Sequence, residues 1–204
     1  MPKVRRVSLD SEIKAAISDL THQEKDKLLF RLLPKEPDLV RKLRFDLLEG
    51  GDTVEIRREE LAEAIKGRID TDVVPNFYSP GYLLLDLRAM SGGISRHVKT
   101  TKDKFGEISL NFLMLNYSLP RLVQQINAAP KHRSHTLSDY VVKRTLKLLK
   151  LMGKLHPDLH IEFYEDMKLL GETIGQMPGM MKTAIYAGLD VNWLLNAEVP
   201  EINL

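Results

Sequence analysis

Apolar residues recur three and four positions apart along most of this chain, with proline, glycine and short polar residues between the runs, a pattern that sets a mainly α-helical fold class. Thr21-His22-Gln23-Glu24 has the form of a capping box, in which hydroxyl and carboxylate each satisfy an orphan backbone N–H. Leu28, Leu29, Leu32 and Leu33 follow at helical spacing, and Pro34 and Pro37 end that helix. Pro37-Asp38 opens the next, because proline loses nothing at a first helical position and aspartate favours the positive end of the helix dipole. Leu39, Val40, Leu43, Leu47 and Leu48 form its apolar stripe, and Gly50-Gly51 stops it. A third helix opens at Asp52 and Glu55 and carries Leu61, Ile65 and Ile69 one turn apart. The expected architecture is a helical bundle or irregular helical array.

Residues 70–80 hold Pro75 and Pro80 and little periodicity, so we place a boundary there. It separates an N-terminal helical region, 1–75, from a central basic and C-terminal helical region, 76–204; a single domain is also compatible with the pattern. Ser79-Pro80 caps a helix through Leu83, Leu84, Leu87 and Met90. Ser91-Gly92-Gly93 should interrupt it, since each helical glycine costs about 1 kcal/mol. Asp103-Lys104-Phe105-Gly106 fits a type I turn, and Glu107 to Phe112 alternates polar and apolar. We therefore read 94–115 as a β-hairpin; the rival is two helices, for which Ile108, Phe112, Leu115 and Leu119 are correctly spaced. Beyond Leu119 the chain is helical again. Thr136 and Asp139 offer caps for a long helix to about Leu155, and His156-Pro157-Asp158 starts another to about Ile174. A last helix lies around Met181 to Ala187.

With no cysteine, disulfides, thiol catalysis and cysteine–zinc sites are excluded. No apolar run approaches the roughly 18 residues of a membrane span, and no apolar segment follows the basic start Met1–Arg6. A cytoplasmic location without a membrane partner is the expectation. No glycine-rich phosphate loop, dinucleotide fingerprint or nucleophile elbow is present, so we assign no cofactor and no catalytic residue.

The net charge of +2 hides an asymmetry. Residues 76–157 carry 13 basic and 4 acidic side chains, whereas 158–204 carry 2 basic and 8 acidic. An anionic partner such as nucleic acid, or neutralisation by the acidic tail, would account for such a positive centre. The candidate nucleic-acid contacts are Arg88, Arg96, His97, Lys99, Lys102 and Lys104, with Lys143, Lys147, Lys150 and Lys154 in one stripe along a helix. Solvated helix faces are the plainer reading of the same residues.

A helix, a glycine pair and a basic hairpin with a tight tip, carried by Leu84, Leu87, Gly93, Ile94, Arg96, Asp103, Gly106 and Leu110, resemble the recognition helix and wing of winged-helix DNA-binding domains. The resemblance covers 80–115 and implies a helix in the major groove with the hairpin's cations along adjacent phosphates. The interval between Ile69 and Ser79 departs from the three- or four-residue turn of a helix-turn-helix.

Other patterns are weaker. His156 and His160 have metal-chelating spacing, but Pro157 puts His156 outside a helix, and we assign no metal. Glu59, Glu60 and Glu63, with Glu162, Glu165 and Asp166, resemble the paired carboxylates of all-α nucleotide pyrophosphatases. Met177, Met180 and Met181 suit either an adaptable partner surface or core filling. Three function classes follow. The first is a non-catalytic helical interaction or structural module, with a protein partner or self-association. The alternatives are a nucleic-acid-binding regulatory protein using the basic 88–154 region and a metal-dependent phosphohydrolase.

Overall fold

A computed structural model of the chain describes residues 8–200; the basic start Met1–Arg6 lies outside them. The described residues are mainly α-helical and contain no strand. They belong to two compact units, Met1–Gly50 and Gly51–Leu204, and the 70–80 stretch falls inside the second.

The first unit contains α1 (Ser11–Asp19), α2 (His22–Leu32) and α3 (Pro37–Leu48). Its boundaries follow local chemistry. Asp10 caps α1 by accepting from the Ile13 N–H at 2.8 Å. At α2 the Glu24 N–H donates to Thr21 Oγ1 at 3.3 Å and the Thr21 N–H donates to Glu24 Oε2 at 2.9 Å, completing the capping box. Pro37 takes the first position of α3, and Gly50 and Gly51, both at positive φ, end it. The three helices bury very little: between residues 8 and 50 only Phe45 is buried.

The second unit holds α4 (Val54–Arg68), α5 (Pro80–Thr101), α6 (Lys104–Ser118), α7 (Val123–Ala128), α8 (Lys131–Met152), α9 (Tyr164–Gly175), α10 (Pro178–Tyr186) and α11 (Val191–Leu195). Helix α6 is central: α4, α5, α8 and α9 all pack against it. Its Ile108, Leu110, Phe112, Met114 and Leu115 are buried, so its apolar residues cover most of the circumference rather than one stripe.

That encirclement explains a correction. Residues 94–115 are not a hairpin: 94–101 continue α5 and 104–115 belong to α6. The wing of the winged-helix resemblance is therefore helix. Alternation across 107–112 arises because a helix buried on several sides need not leave polar residues at a helical period. Gly92 and Gly93 stay helical because Leu87, Met90 and Ile94 on the same helix are buried in the core, which outweighs the local glycine cost. Lys102, at φ 62°, makes the left-handed turn between the two helices.

Two other starts differ from expectation. Helix α8 begins at Lys131 behind Pro130, ahead of Thr136 and Asp139. Pro157–Phe163 forms 3-10 turns before α9. Met177 and Met180 are buried and Met181 is half-buried against the same core. At Gly171 a side-chain carbon would lie 3.0 Å from Leu194 Cβ and 3.1 Å from Leu195 Cδ2, so glycine permits the close approach of α9 and α11.

Candidate functional site

The ten residues singled out from the sequence, nine lysines and arginines and His97, are distributed over several environments. On α5, Arg88, Arg96 and Lys99 are exposed and share one face by helical spacing. His97 lies on the opposite side, where its Nε2 is 3.1 Å from Asp103 Oδ2. Lys102 and Lys104 are exposed at the α5–α6 junction. On α8, Lys143 donates to Asp139 at 2.9 Å and Lys147 to Glu107 at 2.6 Å. Lys150 is half-buried and Lys154 exposed. Arg88 lies over the Tyr140 ring at 5.9 Å from its centroid. Arg144, which sequence reasoning passed over, lies over the same ring at 5.2 Å and donates to the Tyr140 hydroxyl at 3.0 Å. No periodic signal marks that arginine pair, since its members come from different helices.

The most highly connected polar group is Asp103. Its side chain is only 5% exposed. It caps α6 by accepting from the Gly106 N–H at 2.8 Å, and it accepts from Arg58 Nε of α4 at 2.7 Å. With His97 of α5, the cluster ties three helices together at one carboxylate. Arg58 also sits 5.1 Å from the Phe105 ring centroid. Burial pushes the Asp103 carboxyl up, but hydrogen bonds from His97, Arg58 and the Gly106 N–H, with the Arg58 charge, outweigh it and hold the group at about 2. A depressed carboxylate stabilises the fold above its unfolded pKa and loses that contribution as pH falls through the folded value. The wild type is therefore expected to lose about 2 kcal/mol between roughly pH 4 and pH 2 from this group. Urea melts across that range should show a steeper acid slope for wild type than for Asp103→Asn. The hydrogen bonds all terminate within the fold, so the cluster is a structural clamp.

A second, half-buried carboxyl behaves oppositely. Burial raises Asp166, and the hydrogen bond from Asn116 Nδ2, 3.0 Å from Oδ1, only partly offsets this.

The histidine and carboxylate patterns do not assemble. His160 Nε2 is 2.8 Å from the Met152 carbonyl, while His156 accepts from the Asp158 N–H at 3.4 Å. Among the described residues no group of three or more histidines and carboxylates is placed to hold a metal ion. Nor is any described helix long and apolar enough to cross a membrane.

Two surfaces remain that the sequence did not single out. One is a cleft of about 960 Å³ between α8 and α10. The other lies in the N-terminal unit, where Leu33, Val40, Leu43, Arg44, Leu47 and Leu48 line a groove of about 260 Å³. Phe30, Leu47 and Leu48 are 70%, 72% and 74% exposed, and Leu29, Leu32 and Leu39 are exposed with them. The leucine stripes were legible in the sequence, but that they face solvent was not.

No family model, curated protein or solved structure matches the chain.

Proposed function

We propose that this chain is a non-catalytic helical interaction module that self-associates through its N-terminal unit. The observation that carries the reading is the exposure of Leu47 and Leu48 on a groove they share with Leu33, Val40 and Leu43, a contiguous apolar surface of the kind that monomers seldom leave in water. Helices of 9, 11 and 12 residues are marginal alone, and a unit this small holds too little core without disulfides, metals or a partner. A second copy is the occupant favoured by charge. Residues 8–50 carry 8 basic and 9 acidic side chains, so two copies approach with almost no net repulsion. In a two-fold pairing each apolar face covers the other.

The test is hydrogen exchange on the full chain at protein concentrations between about 1 and about 100 μM. Amides of α2 and α3 should exchange more slowly as concentration rises, while those of α6 stay unchanged. Exchange in α2 and α3 that ignores concentration contradicts self-association and points instead to cover supplied within one chain or by another protein.

Polyanion binding is the second reading, favoured by the exposed α5 face and by Arg88 and Arg144 flanking Tyr140. It requires duplex affinity that falls steeply with salt.

A further inference from the structure

The cleft between α8 and α10 has the lining of a binding site. We propose that it takes a small organic anion joining a phosphate to a flat apolar body, of the nucleotide type. Three lysines face it, Lys131 and Lys143 from α8 and Lys182 from α10, with His132 and His135 beside them. The single carboxylate in the lining, Asp139, is engaged by Lys143 at 2.9 Å. Lys131 and Lys182 are thereby left as cations with no carboxylate partner among the described residues. Lysine is a compact point charge suited to phosphate.

The remaining wall combines an apolar patch with three hydroxyls. Pro178, Ala187 and Tyr186 line it, and the Tyr186 side chain is 80% exposed although it stands on a core-packed helix. Lys182 Nζ lies 5.7 Å from the centroid of that ring, so a cation already sits over an open aromatic face. A flat body stacked on Tyr186 would place its charged group beside Lys182. The hydroxyls of Ser134, Ser138 and Thr183 donate to their own helix backbones, at 3.3, 3.1 and 3.0 Å, so they offer acceptors to an N–H on the flat body and leave the phosphate to the lysines. A cavity of about 960 Å³ is far larger than inorganic phosphate needs and falls in the range of small-molecule sites, roughly 300 to 1,000 Å³.

Lys131, His132 and His135 are neighbours in the sequence, but nothing in it shows that Lys182 and Tyr186 lie opposite. The proposal concerns the second unit alone and is independent of the N-terminal one.

The experiment uses trinitrophenyl-ATP as a fluorescent probe on the full chain, with ATP, adenosine and inorganic phosphate as competitors. Saturable enhancement is expected, displaced efficiently by ATP and poorly by adenosine or phosphate alone. Lys131→Glu with Lys182→Glu should raise the Kd by about tenfold or more, since about 1.4 kcal/mol corresponds to tenfold. Lys14→Glu with Lys168→Glu, both exposed and outside the cleft lining, should change it less than about twofold. Tyr186→Ser, at an exposed position that leaves the core intact, should weaken the probe as well and serves if the double lysine variant fails to fold. Absence of saturable enhancement, equal loss in both lysine pairs, or displacement by phosphate as readily as by ATP would overturn the proposal.

Discussion

Replacing Asp103 by alanine is expected to lower the unfolding free energy by about 3 kcal/mol, the scale for removing one partner of a buried ion pair. The residue joins three helices at once: it caps α6 through the Gly106 N–H, receives Arg58 from α4 and meets His97 from α5. Removal strands a buried N–H and leaves the Arg58 guanidinium without its carboxylate. Urea denaturation monitored by circular dichroism reads the loss. A double-mutant cycle with Arg58→Ala should give a coupling energy above about 1 kcal/mol, and additive losses would show that the two groups do not act together. Gly106→Ala tests the same clamp from its other side. A Cβ there would lie 2.0 Å from Asp103 Oδ2 and 3.0 Å from Arg58 Nε, so the carboxylate must leave its cap to make room. Its effect should therefore exceed the ordinary Gly-to-Ala change and fall mostly on the same three-helix junction. Asp103→Asn, which retains a good capping side chain, should recover part of the loss.

This cluster also shows where reading residues in order succeeds and fails. Asp103 and Gly106 were recognisable as a tight aspartate-glycine feature, because an aspartate accepting from an N–H three residues on is common to a turn and to a helix cap. What differs is the backbone that follows, and that is decided by burial of Ile108, Phe112, Met114 and Leu115 against four other helices. Those partners are distant in sequence. The capping box at Thr21, the proline start at Pro37 and the serine cap at Ser79 are legible because the first and last depend on neighbours three residues away and the proline start on the residue itself. The start of α8 was misplaced because Lys131 to His135 is a polar run without a cap, held helical by the continuous apolar face farther along the same helix.

For the candidate sites the division is similar. Lys143 and Lys147 read as one basic ridge, and their partners Asp139 and Glu107 divert both of them. Lys147 meets Glu107 only because α6 and α8 pack together, a fact without local signature. The α8–α10 cleft likewise joins residues some fifty positions apart.

The largest effect on assembly is expected from Leu47→Lys with Leu48→Lys. Both side chains are more than two-thirds exposed, so the change removes little that stabilises the isolated chain. Lysine near the end of α3 also suits the negative end of that helix's dipole. In a pair of chains, however, four buried leucines are exchanged for four charges, and each leucine contributes about 1.5 to 3 kcal/mol on burial. The dissociation constant should rise by at least about a hundredfold, while the melting of the second unit stays unchanged. A parallel change at Ile185, which is exposed on α10, should leave association intact.

The most direct measurement is the solution mass of the unmodified chain by sedimentation equilibrium over a range of loading concentrations. Self-association through the N-terminal helices predicts a mass that climbs toward twice the 23.3 kDa of one chain. A mass that stays at 23.3 kDa up to about 100 μM, with α2 and α3 still helical, would contradict it.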